Sequence, residues 1–328
     1  MALDSNSIFH KPVLPNETLE FLGGGLLQQG NASGTDELMV DGTLGEGGHS
    51  ELFLRRFSGL RVVGIDADRV IMESAKQRLS EFGARVLFHE GWADDFFKFY
   101  PQENTAFPRP GIILLDLGVS LFHYEKGGRG FSFQSDELLD MRIDTSRGEN
   151  AAALLNTLNE EELANLLFQN AGERHSRRIA RAIIAERQKA PLKNARELAR
   201  LVCAAVPPPA RHRKTHAATK TFAALRIAVN GELERLPALL KTAFSVLKPG
   251  GRFGVISFHS LEDRIIKNYF KELAKDCICP PSAPKCVCRG KRLARQITPK
   301  GITASKDELS FNPPSRSARL RVVEKIFD

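Results

Sequence analysis

No run of about 20 apolar residues occurs in this 328-residue sequence, which argues against a membrane-spanning helix. The amino-terminal stretch MALDSNSIFHKPVLPNETL lacks a basic segment followed by an apolar core. No secretory signal is therefore expected, and the chain is placed in the cytoplasm without a membrane partner. Cysteines number only five, and disulfides are disfavoured in that compartment. No internal repeat is visible. Acidic residues are scarce in one region. From Arg174 to Lys220, thirteen Lys and Arg stand against Glu186 and Glu197 alone. A second basic run, Arg289, Lys291, Arg292, Arg295 and Lys300, follows within a chain of net charge +8. Clustering of this kind favours a polyanionic partner over a merely solvated helix face.

The composition present, 42% apolar and 26% charged, is that of a globular protein with one large or two ordinary domains. Apolar runs at Leu38–Asp41, Arg61–Asp66, Ala84–His89 and Gly111–Asp116 read as strands, with a helical pattern over Ala67–Phe82. Strand–helix alternation with short connections predicts a parallel, doubly wound α/β sheet. The rhythm breaks after Leu117. The glycine-rich aromatic loop Gly127–Phe133 leads into a mostly helical stretch from about Ala151 to Ala205, with capping boxes expected at Asn159/Glu162 and Asn194/Glu197. Helix then returns over Glu232–Leu247, and Arg252–Phe258 and Ala318–Glu324 are the remaining strands. The expected domains are thus 1–125 with 226–328, split around a helical insertion at 126–225.

The most informative segment is VDGTLGEGGHSELFL, Val40 to Leu54, with four glycines between a strand and a helix. Glycine lets the backbone turn tightly and lets a ligand approach the main chain. A phosphate-binding P-loop needs Lys-Ser/Thr after its last glycine, but His49-Ser50 follows Gly48. A dinucleotide fingerprint wants a third glycine where Ser50 stands, and Glu46 would repel a pyrophosphate. Asp66, closing the second strand, is placed to accept from both ribose hydroxyls of an adenosine, although alone it reads as a helix cap. NAD and S-adenosylmethionine both carry that adenosine. Only the second ends in a zwitterion, whose ammonium suits Asp41 and whose carboxylate suits the loop amides. Charge favours S-adenosylmethionine and hence a methyltransferase.

Several segments also resemble the RsmH (MraW) family of bacterial methyltransferases. They are Asp41–Ser50, Asp116–Ser120, Arg129–Phe133, Leu139–Asp144, Thr221–Ile227, Val229-Asn230 and Ile256–Arg264, in family order across nearly the whole chain. The resemblance implies a class I S-adenosylmethionine-dependent methyltransferase fold, Rossmann-like, with an inserted helical substrate-recognition domain. It implies methyl transfer to the exocyclic 4-amino group of a cytidine in the decoding-centre region of 16S ribosomal RNA, within the small ribosomal subunit or its late precursor. Carried over by position, Gly47, Gly48 and His49 contact the cofactor, Asp66 its ribose and Trp92 its adenine, with Asp116 and His123 completing the set. The chain departs from the family where Leu121-Phe122-His123 replaces Ser-Pro-Gln, where Ile143 replaces methionine and where Asn312-Pro-Pro-Ser315 replaces Asn-Pro-Arg.

The amine of cytosine is a poor nucleophile, so most of the rate must come from in-line positioning. Asp116, at the end of the fourth strand, is the candidate catalytic residue, holding the donor's amine or accepting from the target amine. The Asp/Ser/Asn-Pro-Pro-aromatic motif of DNA amino-methyltransferases is not found there; Asn312-Pro313-Pro314 lies elsewhere and lacks the aromatic, so it reads as a loop. Phe131 and Phe133, beside Arg129, suit stacking of an extruded base, or else core packing. His259 lines the pocket or serves a structural role, and Arg142 contacts substrate or pairs with Asp140 and Asp144. Cys203 reads as core, whereas Cys277, Cys279, Cys286 and Cys288 could converge on zinc. An NAD oxidoreductase and a non-enzymatic RNA-binding assembly factor stay as alternatives, and the oligomeric state, a homodimer included, stays open.

Overall fold

The computed structural model describes residues 11–28, 37–100, 108–125, 127–134, 136–211, 215–277, 279 and 290–328. The chain divides into two compact units, Met1–Gly118 with Leu236–Asp328, and Val119–Arg235. The sequence boundaries at 126 and 225 thus move to 119 and 235. The shift at the first boundary follows from His123 and Val119, whose side chains pack with the aromatic core of the second unit.

In the first unit, β1 (Glu37–Asp41), β2 (Leu60–Asp66), β3 (Val86–Glu90), β4 (Ile112–Asp116), β5 (Arg252–Ser257), β6 (Ala294–Gln296) and β7 (Arg319–Lys325) form one sheet in the order β3-β2-β1-β4-β5-β7-β6. The first five strands run parallel, and β7 pairs antiparallel with both β5 and β6. Strands β1, β4 and β5 are nearly continuous apolar runs because helices cover both faces of a parallel sheet. Those helices include α1 (Pro15–Gln28), α2 (Gly48–Arg56), α3 (Arg69–Arg78), α4 (Ala93–Lys98) and, later in the chain, α12 (Glu232–Val246), which belongs to this unit from Leu236 onward, α13 (Ser260–Leu273) and α14 (Lys306–Phe311). The chain leaves β1 toward β2 and returns on its other side at β4. That reversal opens a crevice at the carboxyl ends of β1 and β4, where such folds bind ligands.

Two expected boundaries shift for local reasons. The helix starting near Ala67 ends at Arg78 rather than Phe82, because Gly83 adopts a left-handed φ of 53° within a short 3-10 segment, Ser80–Arg85. The side chain of Arg85 then ties this segment to the carbonyls of Leu54, Phe57 and Ser58. Strand β3 accordingly begins at Val86.

The second unit holds α5 (Leu121–Glu125), α6 (Ala151–Thr157), α7 (Glu160–Ala171), α8 (Ser176–Arg187), α9 (Ala195–Ala205), α10 (Pro208–Arg211) and α11 (Thr219–Asn230) around a separate apolar core. The capping box of Asn159 and Glu162 forms as the spacing predicts. That of Asn194 and Glu197 does not. Asn194 is drawn into an antiparallel bridge with Leu138, and its side chain makes no cap hydrogen bond. Among the described residues no helix is long and apolar enough to cross a membrane.

Candidate functional site

The carboxyl ends of β1, β2, β4 and β5 gather Asp41, Asp66, Asp116 and the turn before α13. Asp41 is 1% exposed and accepts from the Ser50 hydroxyl at 2.7 Å. Burial pushes its pKa up to about 6, the Ser50 and Thr43 hydrogen bonds opposing and the charge of Asp66 adding to the rise. Asp66 is not a helix cap, since Asp68 caps α3 by accepting from the Val70 amide. Its two oxygens instead accept from the amides of Gly45 and Asp68, each at 2.8 Å, so the carboxylate ties the glycine loop to the end of β2. The Asp66 carbonyl also accepts from Gly91, which sets Trp92 at the start of α4, half-buried beside this strand end.

The glycines divide their work. Gly45 has a φ of 54° and open space where a side chain would stand, an approach for a ligand. Gly47, at φ 80°, caps α2 with Leu79 3.0 Å from the place of a Cβ. Gly48 lets Pro12 pass, 3.2 Å from the corresponding position.

His49 is 6% exposed, and its Nε2 lies 2.8 Å from the Val13 carbonyl. A carbonyl only accepts, so Nε2 carries a hydrogen and Nδ1 of a neutral ring presents its lone pair. That nitrogen lies 3.6 Å from Asp116 Oδ2. Two facing lone pairs repel unless a proton stays between them. Asp116 supplies the means: burial, then the charges of Asp41 and Glu262, hold its pKa well above the carboxylate range. About a fifth of its side chain (22%) stays accessible, yet Oδ1 is shut off from solvent and lacks a hydrogen-bond partner. An unpartnered buried acceptor beside Asp41 fits a cationic donor such as an ammonium.

Glu262, Thr43 and Ser50 are participants that the sequence reading missed. The Thr43 hydroxyl accepts from the Asp116 amide. Glu262 is 2% exposed and forms a capping box with His259, whose Nδ1 accepts from the Glu262 amide at 3.4 Å. His259 therefore serves as the N-cap of α13. The spacing of the two residues was legible, but capping rules start from Ser, Thr, Asp or Asn and pass over histidine.

His123, Phe131, Phe133 and Arg142 belong to the second unit. His123 is 4% exposed, its ring 5.1 Å from that of Phe131, itself 4% exposed. Of the two readings for Phe131, the structure realises core packing. Phe133 is partly buried and stacks on the exposed His216 at 4.4 Å, with 12° between the rings. Arg142 is gripped by both oxygens of Asp140, at 2.6 and 2.9 Å. The motif residues around them form one hydrogen-bonded block. Arg129 donates to the carbonyls of Arg142 and Ile143, and Asn230 accepts from Ile143 and donates to Met141, which has a φ of 60°.

Cations on α8 and α9 stand out from the apolar faces of these helices; Arg177, Arg178 and Arg200 are exposed. Arg211 instead caps α9, donating to the carbonyls of Ala204 and Val206, and Arg213 and Lys214 lie outside the described residues. Cys203 is half-buried, 3.6 Å from His216, rather than in the core. The Cys279 amide donates to Cys277 Sγ, and Cys286 and Cys288 lie outside the described residues.

The model of the MraW methylase family matches residues 7–326. A protein of Treponema denticola named ribosomal RNA small subunit methyltransferase H is 56% identical, over 97% of either chain. Proteins of the same name from Syntrophotalea carbinolica and Treponema pallidum are 46% and 42% identical, each over 97% of this chain and over 98% and 93% of their own.

Proposed function

This chain belongs to the MraW methylase family and is a methyltransferase using S-adenosylmethionine, and we propose that it methylates the exocyclic 4-amino group of a cytidine in the decoding-centre region of 16S ribosomal RNA. The family membership decides against the nicotinamide alternative. The observation that carries the reading is the match, over 97% of the chain, to a relative named for small-subunit ribosomal RNA.

S-adenosylmethionine, when bound, supplies an electrophilic methyl group on a sulfonium. The chain's own residues are suited to hold it. Asp66, at the end of β2, is an acceptor suited to the ribose hydroxyls, Trp92 offers a ring to the adenine, and the first amides of α2, which begins at Gly48, suit the carboxylate. Asp116 Oδ1 and Asp41 suit the ammonium, and a cation beside these carboxyls lowers their pKa again. Asp116 is also the acceptor suited to the target amine, which must lose a proton as the new bond forms.

The described residues at these strand ends include no thiol, so nothing there can add to the ring as methylation at carbon 5 requires. Direct attack by the amine needs none. In the second unit the exposed cations of α8 and α9 suit RNA phosphates, and the stacked Phe133–His216 pair suits an extruded base. The test is to incubate undermethylated small subunits with labelled S-adenosylmethionine and digest the RNA to nucleosides. The expected product is 4-methylcytidine. RNA binding without transfer, or 5-methylcytidine, overturns the reading.

A further inference from the structure

We infer that the carboxy-terminal segment Lys306–Ser317 is a latch that fixes the tautomer and position of His49, which makes Glu308, Asn312 and Ser315 positioning residues for the methyl-donor site. The inference rests on reading the His49–Asp116 cluster as that site.

The bonds run in one chain. Glu308 stands at the third position of α14, where a carboxylate commonly turns back to the capping residue, here Ser305. It turns instead to the amino-terminal strap, and its Oε1 accepts from the Leu14 amide at 2.8 Å and from the Ser315 hydroxyl. Asn312 Nδ2 donates to the Pro12 carbonyl at 3.2 Å. Strap residue Val13 is therefore held on both sides, and its carbonyl is the group that accepts from His49 Nε2. Leu14 takes a left-handed φ of 52°, a conformation that a leucine keeps only where its surroundings impose it. Glu308, Asn312 and Ser315 are all at least nine-tenths buried, although they lie about 260 residues along the chain from His49. The Asn312-Pro-Pro-Ser315 segment, a mere loop by sequence, thereby has a task. It presents two of the three latch side chains.

The asymmetry of Glu308 supplies the discriminating substitution. Its Oε1 takes both donors while Oε2 has no hydrogen-bond partner. A glutamine can present its carbonyl oxygen to the same two donors, whereas an alanine presents nothing. Glu308→Ala is expected to weaken S-adenosylmethionine binding about tenfold, the scale of one lost hydrogen bond. Glu308→Gln should stay within about twofold of the parent. In a His49→Ala background, Glu308→Ala should add nothing, because its effect passes through that ring.

Calorimetry reads the affinities, and nitrogen-15 NMR of histidine-labelled protein reads the His49 tautomer. The parent should show the Nε2–H form, and Glu308→Ala a mixture of forms. An Nδ1–H form in the parent overturns the inference without any variant, as does tenfold further weakening in the double variant. Unchanged affinity and tautomer in Glu308→Ala overturn it too. If Glu308→Ala does not fold, Asn312→Ala carries the same measurements. Failure of the underlying reading is separate: the parent itself would then not bind S-adenosylmethionine.

Discussion

Replacing Asp41 with asparagine should stabilise the cofactor-free protein at neutral pH while weakening its hold on the methyl donor. Burial pushes this carboxyl up to about 6 from an ordinary 3.8. Carrying its charge in the folded state above that value therefore costs about 3 kcal/mol. That cost already includes the bonds to the charged form; asparagine keeps one oxygen for the Ser50 hydroxyl but turns its NH2 toward the Thr43 amide, an offset of about 1 kcal/mol. The net expectation is about 2 kcal/mol of added stability at pH 8. The sign in pH follows from the direction of the shift. Between about 3.8 and 6 the folded protein holds a proton on Asp41 that the unfolded chain has released, so the parent loses stability as pH rises through that window. The asparagine variant lacks this loss, and below pH 4 its advantage disappears. Trp92, the only tryptophan, lies in the same unit and reports its unfolding in urea by fluorescence. An asparagine variant no more stable than the parent at pH 8, or an advantage independent of pH, would refute the charge argument.

Asp66→Ala should weaken S-adenosylmethionine binding by about 1.5–3 kcal/mol, because charged-acceptor bonds to the ribose are removed and the Gly45 amide is released. Calorimetry giving the parent's affinity in a folded variant would remove Asp66 from the site. Reversing Arg177, Arg178 and Arg200 to glutamate should weaken RNA binding and lower its logarithmic salt slope by about 0.7–0.9 for each phosphate no longer neutralised, with cofactor affinity kept. An unchanged slope would leave these charges as a solvated face. Substrate RNA carrying 5-fluorocytidine should be methylated at the amine and run free of protein on a denaturing gel; a covalent band would sink the direct-attack mechanism.

The strands that carry the site were legible because burial on both faces writes a parallel strand as a short apolar run. Ile112 to Leu115 is four such residues followed by a single carboxylate. Strand β6 escaped notice, being three residues long with Arg295 and Gln296 in it. Helix α1 escaped because Gly23-Gly24-Gly25 interrupts its pattern; Gly23 and Gly24 are needed where Phe57 and the Arg252 guanidinium pass within 3 Å of a would-be Cβ. The acidic residues of the site were found because each closes a strand. Their partners were not. Val13 acts through a backbone carbonyl, which any residue offers, and Glu262 and Glu308 act from helix starts where a carboxylate is ordinary. Phe131 and Phe133 alternate along the chain, and alternation alone does not say which of two rings is buried.

Three aspartates at adjacent strand ends, with Glu262 buried nearby, are an arrangement that folding alone disfavours. Burial and mutual repulsion raise Asp41 and Asp116 together, and no arginine or lysine of the described residues is hydrogen-bonded to either carboxyl. Structural clusters of this kind normally recruit a cation from the chain, as Asp140 recruits Arg142 and Asp263 recruits Arg321. The unrecruited pair is the one in the crevice. A pyrophosphate brought there would meet the same repulsion that the carboxyls feel from one another. A ligand with an ammonium and a sulfonium relieves it, so its binding should draw stability from a penalty already present in the empty site. Asp41→Asn is informative for that reason: it removes the penalty and the attraction for the ammonium together, so stability should rise and affinity fall by comparable amounts.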